Sequence, residues 1–418
     1  MGAFRDIAED VTRKRMDHQK WTIRSKDGPL GLYSNQGSAS KVQPLLIDGI
    51  LKMPKRGGWA TVPGRWLRDI CSCCRNRETG QKTVNVLKLS EKACRIVHAV
   101  DNAETASYSV EFGDGHHSVF PYSAFTNRTL LAASQWRDGL VPLTTWTADV
   151  ANAPPSVPYD QVQSGMAVML RSVREFGFVT IENVPATPEA TEALLSSIGP
   201  IRNTHYGAFY DFTSDLSSKD TAYTNEALEP HTDNTYFTEP AGLQALHLLS
   251  HEDGCGGESI LVDGFAAADQ LYNEDVNAYQ KLSLTGVYSH ASGNDGISIQ
   301  SAQPYPTFSH HPSARYLSQV RWNTADRAGL ATTVYGMERW YTAAAKFDAI
   351  VSDTTKQYKF QLKPGTVLIM DNWRVLHGRS AFTGKRRMCG GYINRDDFIS
   401  KFRMTNLSPE QIEASTYG

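Results

Sequence analysis

Cysteine is scarce in this chain: six in 418 residues, three of them crowded between Cys71 and Cys74. A secreted disulfide framework, which spreads paired cysteines through small domains, is therefore not expected. Long apolar runs are missing as well. No stretch approaches the roughly 20 apolar residues that cross a bilayer, so no membrane partner is expected. Charge imbalance is also absent: 42 Lys and Arg against 44 Asp and Glu leave a formal net charge of −2. That balance supports neither a nucleic-acid partner nor an anionic surface. The first residues, Met1 to Asp6, lack a secretory hydrophobic region, and Asp6, Glu9 and Asp10 are out of place in an acid-poor transit peptide. Asp6 also stands where a myristoylation signal needs Ser or Thr. A cytoplasmic location is the expectation.

What is present is an ordinary globular composition, 40% apolar and 21% charged, with length for one large domain and a small one. No internal repeat is visible. After an N-terminal extension over 1–43, short alternating segments with Gly and Asp turns over 44–141 read as a small β-rich domain. The Pro- and Ala-rich stretch 142–158, with Pro154-Pro155, reads as a linker. In the remainder, 159–418, Val162, Met166, Met169, Leu170 and Val173 fall at helical spacing. Phe178 to Ile181 reads as a buried strand, and Thr187-Pro188 caps a helix start. Trp340, Ala344, Phe347 and Val351 mark a later helix. Most other segments are short strands separated by Gly, Asn and Pro, as in an antiparallel barrel or jelly roll. The fold class expected is mainly β with flanking helices.

Two histidines and an aspartate carry the strongest chemical signal. His231-Thr232-Asp233 precedes the alternating run Leu243 to Leu249, and His377 lies far downstream in Asp371 to Arg379, after the strand-like Thr366 to Met370. Two imidazole nitrogens and one carboxylate can occupy one face of an octahedral metal and leave the opposite face open, the ligand set of non-haem Fe(II) oxygenases. His-x-Asp occurs twice, however, and His251-Glu252-Asp253 has the same spacing. Spacing alone leaves the choice open; the Gly254-Cys255-Gly256-Gly257 turn after His251 argues against that copy.

Longer segments resolve the choice. Arg202 to Gly207, Asp220 to Thr224, Gly256 through Phe265 and Asp371 through Arg379 resemble the trimethyllysine dioxygenase and γ-butyrobetaine hydroxylase family, over about Trp66 to Phe402. The resemblance implies a double-stranded β-helix catalytic domain behind the small β-rich one, and iron held by His231, Asp233 and His377. It implies 2-oxoglutarate and O2 as cosubstrates, with ascorbate as reductant. Arg386 would grip the far carboxylate of 2-oxoglutarate bidentately. Arg374 and Arg379, which flank His377, are the other arginines expected around the cofactors. Tyr206, Tyr210, Tyr223 and Tyr392 match an aromatic cage for a trimethylammonium group, which has no hydrogen to donate and is held by ring faces. Asp220 and Asn323 match positions for the amino-acid end of the substrate. The implied reaction is C3 hydroxylation of Nε-trimethyl-lysine, the first step of carnitine biosynthesis. Animal members are mitochondrial, and the family's tendency to pair suggests a homodimer.

Two departures qualify the substrate. Asn234 stands where the family usually has Thr, and Thr324 where a second Asn commonly follows Asn323. These leave open a paralogue acting on another amino acid or betaine by hydroxylation, cyclisation or desaturation. A barrel that binds metal without turnover is the alternative from another class. In the small domain, Trp66 to Cys74 resembles the γ-butyrobetaine hydroxylase segment whose cysteines bind structural zinc with a distant histidine. The residues here would be Cys71, Cys73, Cys74 and His116, a closed tetrahedral set. Adjacent Cys73 and Cys74 make that geometry awkward, and a reduced thiol cluster without metal is the alternative.

Overall fold

The computed structural model describes residues 45–47, 50–55, 58–125, 135–213, 224–292, 296–312 and 315–416. The chain divides into two compact units. One contains 142–163 and 175–395; the other contains the residues up to 141 from Gln36, with 164–174 and 396–418.

Among the described residues, ten strands of the larger unit form its two main sheets. They are β1 (Ser156–Pro158), β2 (Phe178–Glu182), β3 (Phe209–Thr213), β4 (Leu228–His231), β5 (Leu243–Glu252), β6 (Ser259–Asp263), β7 (Tyr358–Phe360), β8 (Thr366–Asp371), β9 (Val375–Arg379) and β10 (Lys385–Ile393). Six form one sheet in the order β1-β2-β8-β5-β10-β3, and four form a second in the order β4-β9-β6-β7. Apart from the parallel β1–β2 pair, the ladders are antiparallel. From β7 onward the chain crosses from one sheet to the other at each step. That winding is the double-stranded β-helix. The sheets share a core in which Phe178, Leu248, Leu368 and Met370 of one meet Leu261 and Val375 of the other. Strands buried on both faces read as continuous apolar runs, as Val367 to Met370 do.

Residues 142–158, read from composition as a linker, lie within this unit. Trp146 is buried, its backbone N–H donates to the Asp263 carboxylate and its indole N–H to the Phe176 carbonyl. Proline there enforces extended backbone, which packs as readily as it links. Helix α1 (Pro188–Ile198) starts where Thr187 accepts from the Ala190 N–H. Between β6 and β7 the chain inserts α2 (Gly264–Glu274), α3 (Val276–Leu284) and α4 (Val334–Ser352), packed around Phe308, Trp322 and Phe347.

The smaller unit has two three-stranded antiparallel sheets, over 45–61 and 96–121. Leu51, Leu67, Phe112, Phe120 and Phe125 form its core.

One buried polar group in the larger unit has a measurable consequence. His247 on β5 is fully buried, with Nδ1 2.7 Å from Thr191 Oγ1 and Nε2 accepting from the Gly365 N–H at 3.2 Å. Burial pushes its pKa down to about 4. The folded state therefore resists a protonation that the unfolded chain accepts near pH 6.5. Its contribution is complete above that pH and is lost as pH falls toward 4, by up to about 3 kcal/mol. Urea titrations across this range should show a shallower acid loss for H247Q than for the wild type; parallel curves would refute the assignment.

Candidate active site

β4 pairs with β9 so that His231 sits directly opposite His377. The register shifts between Leu228 and His231, a β-bulge that turns His231 toward the same side as its partner. Gly378 makes the bulge feasible: a Cβ there would lie 2.5 Å from the Leu228 carbonyl oxygen. The chain then leaves β4 under tight control. The buried Thr232 N–H donates to the Trp322 carbonyl at 2.7 Å, and its hydroxyl accepts from the Trp322 N–H at 3.0 Å. Asn372 clasps the next residue, accepting from the Asp233 N–H at 2.8 Å and donating to the Asp233 carbonyl at 3.0 Å.

These constraints bring three metal-binding side chains together. Asp233 Oδ1 lies 3.3 Å from His231 Nε2 and 3.8 Å from His377 Nε2, and the two rings are 4.4 Å apart. His231 Nδ1 is 2.8 Å from the Glu229 carbonyl, which fixes the tautomer that leaves Nε2 as an acceptor. His377 Nδ1 is buried with no hydrogen bond among the described residues, so strand pairing orients that ring. Asp233 Oδ2 accepts from the Tyr392 hydroxyl at 2.6 Å. Burial opposes ionisation of Asp233, but the neighbouring His377 and His231 outweigh it and hold the carboxyl below its usual range. Burial, aided by His231, pushes His377 down to about 4. A carboxylate and a neutral imidazole are the forms that bind a cation.

The triad opens into a cavity of about 440 Å³, a size suited to small ligands. Its walls follow the strand period. On β10, Arg386, Met388 and Tyr392 point in, while Arg387 points out to an exposed pair with Asp211 at 2.6 Å. At Gly390, in the same inward row, the missing side chain leaves room for Tyr210, whose hydroxyl donates to the Ala245 carbonyl at 2.8 Å. Arg386 is 3% exposed, and its Nε has no hydrogen-bond partner among the described residues. Its guanidinium meets the Phe382 ring at 4.9 Å and the Met388 sulfur at 3.8 Å. A buried cation without an anion is costly, and this one is completed if a ligand carboxylate enters beside it.

Comparisons with known proteins agree with this geometry. The profile described as taurine catabolism dioxygenase TauD, TfdA family matches residues 140–392, and that of the γ-butyrobetaine hydroxylase-like N-terminal domain matches 55–126. A trimethyllysine dioxygenase of Neurospora crassa is 40% identical over 85% of this chain and 83% of its own length. The human enzyme, named mitochondrial trimethyllysine dioxygenase, is 36% identical over 82% of each chain. One from Meyerozyma guilliermondii is 35% identical over 85% of this chain and 93% of its own. The chain belongs to the trimethyllysine dioxygenases of the TauD/TfdA family. It is an Fe(II)/2-oxoglutarate-dependent dioxygenase, and iron, 2-oxoglutarate and O2 are its cofactors.

The dioxygenase uses the expected residues unequally. Tyr206, Tyr210, Tyr392, Asn234, Asn323 and Arg379 all line the cavity. Arg379 donates to the Thr224 and Glu226 carbonyls at 2.7 and 3.0 Å. Arg374 does not line it. Its guanidinium is 2.7 Å from Asp263 and donates to the Glu175 and Thr144 carbonyls, so it serves the core and not a cofactor. Tyr392 is more than a cage wall, because its hydroxyl is committed to Asp233. Asp220 and Tyr223 lie outside the described residues. Asn234 has φ +60, a left-handed conformation that asparagine adopts more readily than the β-branched threonine of the family. Tyr236, Gln244 and Asp326 also line the cavity and were not singled out from sequence. The inward period of β5 could have found Gln244; nothing local distinguished Asp326.

In the smaller unit all of the expected zinc residues meet. His116 Nε2 lies 3.5 Å from Cys71 Sγ, 3.5 Å from Cys73 Sγ and 3.7 Å from Cys74 Sγ. Tetrahedral zinc with ordinary bond lengths places sulfur and nitrogen about 3.5 Å apart and two sulfurs about 3.8 Å apart; the sulfur–nitrogen distances match, while Cys71 and Cys73 Sγ, 2.9 Å apart, would have to separate to admit it. A 3₁₀ turn over Ser72–Cys74 lets the adjacent cysteines both reach the histidine.

Two arginines separate binding from packing. R386M should raise the KM for 2-oxoglutarate on the order of 100-fold with little change in thermal midpoint. R374M strands the buried Asp263 carboxylate and should cost about 3–5 kcal/mol of stability. Steady-state kinetics and thermal melts on both variants check this, and an unchanged 2-oxoglutarate KM in R386M would remove Arg386 from the site.

Proposed function

We propose that this dioxygenase hydroxylates Nε-trimethyl-lysine at C3, coupled to decarboxylation of 2-oxoglutarate to succinate and CO2, the first step of carnitine biosynthesis. The observation that carries the reading is an aromatic cavity opening directly onto the His231–Asp233–His377 triad, with the Arg386 cation at its edge. The relatives' names point to the same substrate.

His231, Asp233 and His377 would hold the iron, and Arg386 the far carboxylate of 2-oxoglutarate. Iron and cosubstrate, when bound, supply the oxidising chemistry that converts a C–H into a C–OH. The protein's task is to aim that bond. Tyr206, Tyr210 and Tyr236 line the cavity, and each aromatic ring that meets a quaternary ammonium would contribute about 0.5–2 kcal/mol. Tyr392 donates to Asp233 Oδ2, which leaves Oδ1 facing the histidines. Asn372 prevents the Asp233 backbone from drifting. Ascorbate would keep the iron reduced. A homodimer is the assembly expected of the family. A second reading, a paralogue acting on another amino acid or betaine, is favoured by Asn234 and Thr324, both of which line the cavity.

An anaerobic Fe(II) reaction with 2-oxoglutarate, ascorbate and Nε-trimethyl-lysine, opened to air, should give a one-oxygen mass gain matched by succinate. No gain, with succinate released on another betaine, would favour the second reading.

Cys71, Cys73, Cys74 and His116 would hold a structural zinc. Metal analysis should find zinc near one equivalent per chain, and C74A should lower both zinc content and thermal stability. Zinc-free protein of unchanged stability would leave a thiol cluster.

A further inference from the structure

The glycine-rich turn after His251 ends beside Arg386. Residues 253–258 join β5 to β6, and residues 380–384 join β9 to β10. The two connections are bonded backbone to backbone. The Gly257 N–H donates to the Ala381 carbonyl at 3.1 Å, the Thr383 N–H to the Cys255 carbonyl at 2.9 Å and the Ser380 N–H to the Glu258 carbonyl at 3.0 Å. Each connection places one residue against the Arg386 guanidinium. A Cβ on the buried Gly257 would lie 2.9 Å from Nη1, 3.0 Å from Cζ and 3.2 Å from Nε. Near-equal distances to three atoms of a planar group mean that the plane lies face-on to the glycine. From the other connection, the buried Phe382 sets its ring centroid 4.9 Å from Cζ. His251 packs edge-on to that ring at 6.0 Å, and its Nε2 lies 2.8 Å from the Thr383 carbonyl.

We infer that Gly257 and Phe382 are positioning residues for the cosubstrate, and that Gly257 sets the length of 2-oxo diacid the cavity accepts. The inference rests on the reading above that Arg386 takes the far carboxylate of 2-oxoglutarate. Hydrogen bonds do not fix this guanidinium. Among the described residues its Nε has no partner, and Nη2 meets the Met388 sulfur, a weak acceptor, at 3.8 Å. Contact fixes it instead. The Phe382 ring attracts the cation without neutralising it, so the charge stays available to a ligand. Arg386 lines the cavity and Gly257 stands behind it. The missing side chain lets the cation sit back from the metal ligands.

A diacid held at the triad by one end must span to that charge with the other. A methyl group at 257 would drive the charge into the cavity and shorten the span. Gly257 also has φ +70, in the left-handed region that favours glycine. Turn and cradle therefore ask for the same residue.

The test measures binding of oxaloacetate, 2-oxoglutarate and 2-oxoadipate, diacids of successive length, to anaerobic Fe(II)-loaded protein by calorimetry. Wild type should bind 2-oxoglutarate roughly 10-fold tighter than either neighbour. G257A should lose 2-oxoglutarate affinity on the order of 10-fold while oxaloacetate binding holds or improves, moving the preference toward the shorter acid. F382L should weaken all three roughly 3- to 10-fold, and F382Y should restore them. Fe(II) affinity, set by β4 and β9, should not move, whereas a misfolded site would lower it too. A G257A protein that keeps the wild-type preference, or loses affinity for all three acids equally, would overturn the inference. If G257A fails to fold, a wild type that binds the three acids equally, or F382L with unchanged affinity, would overturn it as well. R386M with wild-type affinity for 2-oxoglutarate would instead sink the reading of Arg386 itself.

Discussion

The site depends on one strand pairing. β4 joins β9 through a bulge that sets His231 across from His377, and every other feature of the centre follows from that register. A one-residue slip would send one imidazole to the opposite face of the sheet. Several contacts guard against it. Gly378 has no side chain to collide with the bulge, Thr232 is bonded at both ends to Trp322, and Asn372 grips Asp233 from the far side. Metal affinity in such a site is a property of the barrel as much as of three side chains.

The treatment of buried charge separates structure from function in this molecule. Arg374 and Asp263 form a closed pair, and neutral carbonyls take the remaining guanidinium donors. Arg386 is as deeply buried but has no acid of its own among the described residues. Both arginines would be destabilising if isolated. The first is compensated within the fold, and the second would be compensated if the 2-oxoglutarate carboxylate binds beside it, as proposed. A buried cation without its own counter-ion would favour a ligand that brings a carboxylate.

The turn 323–326 lies outside the ten-strand barrel and is held by local bonds: Asn323 Oδ1 accepts from the Ala325 and Asp326 N–H groups, and its Nδ2 donates to Asp326 Oδ2 at 2.8 Å. The triad, by contrast, is held by the ladders of the two sheets. Asn323, Thr324 and Asn234 line the same cavity.

The triad was legible in the sequence because its residue types are those the chemistry requires, and because Asp371 to Arg379 is long enough to identify the family. The strand β8, the helices α1 and α4 and the inward period of β10 could likewise be read from apolar spacing and capping. Composition misled over 142–158, where proline signals extended backbone whether or not the segment is buried. Local sequence could not assign roles within Asp371 to Arg379: Arg374 and Arg379 flank His377 alike, yet one neutralises Asp263 and the other lines the cavity. Nor could it show that Asn323 spends its side chain on Asp326. The roles of the two arginines depend on which partners arrive from distant segments, and a pairing across more than a hundred residues is set by closure of the two sheets, not by any neighbour in sequence.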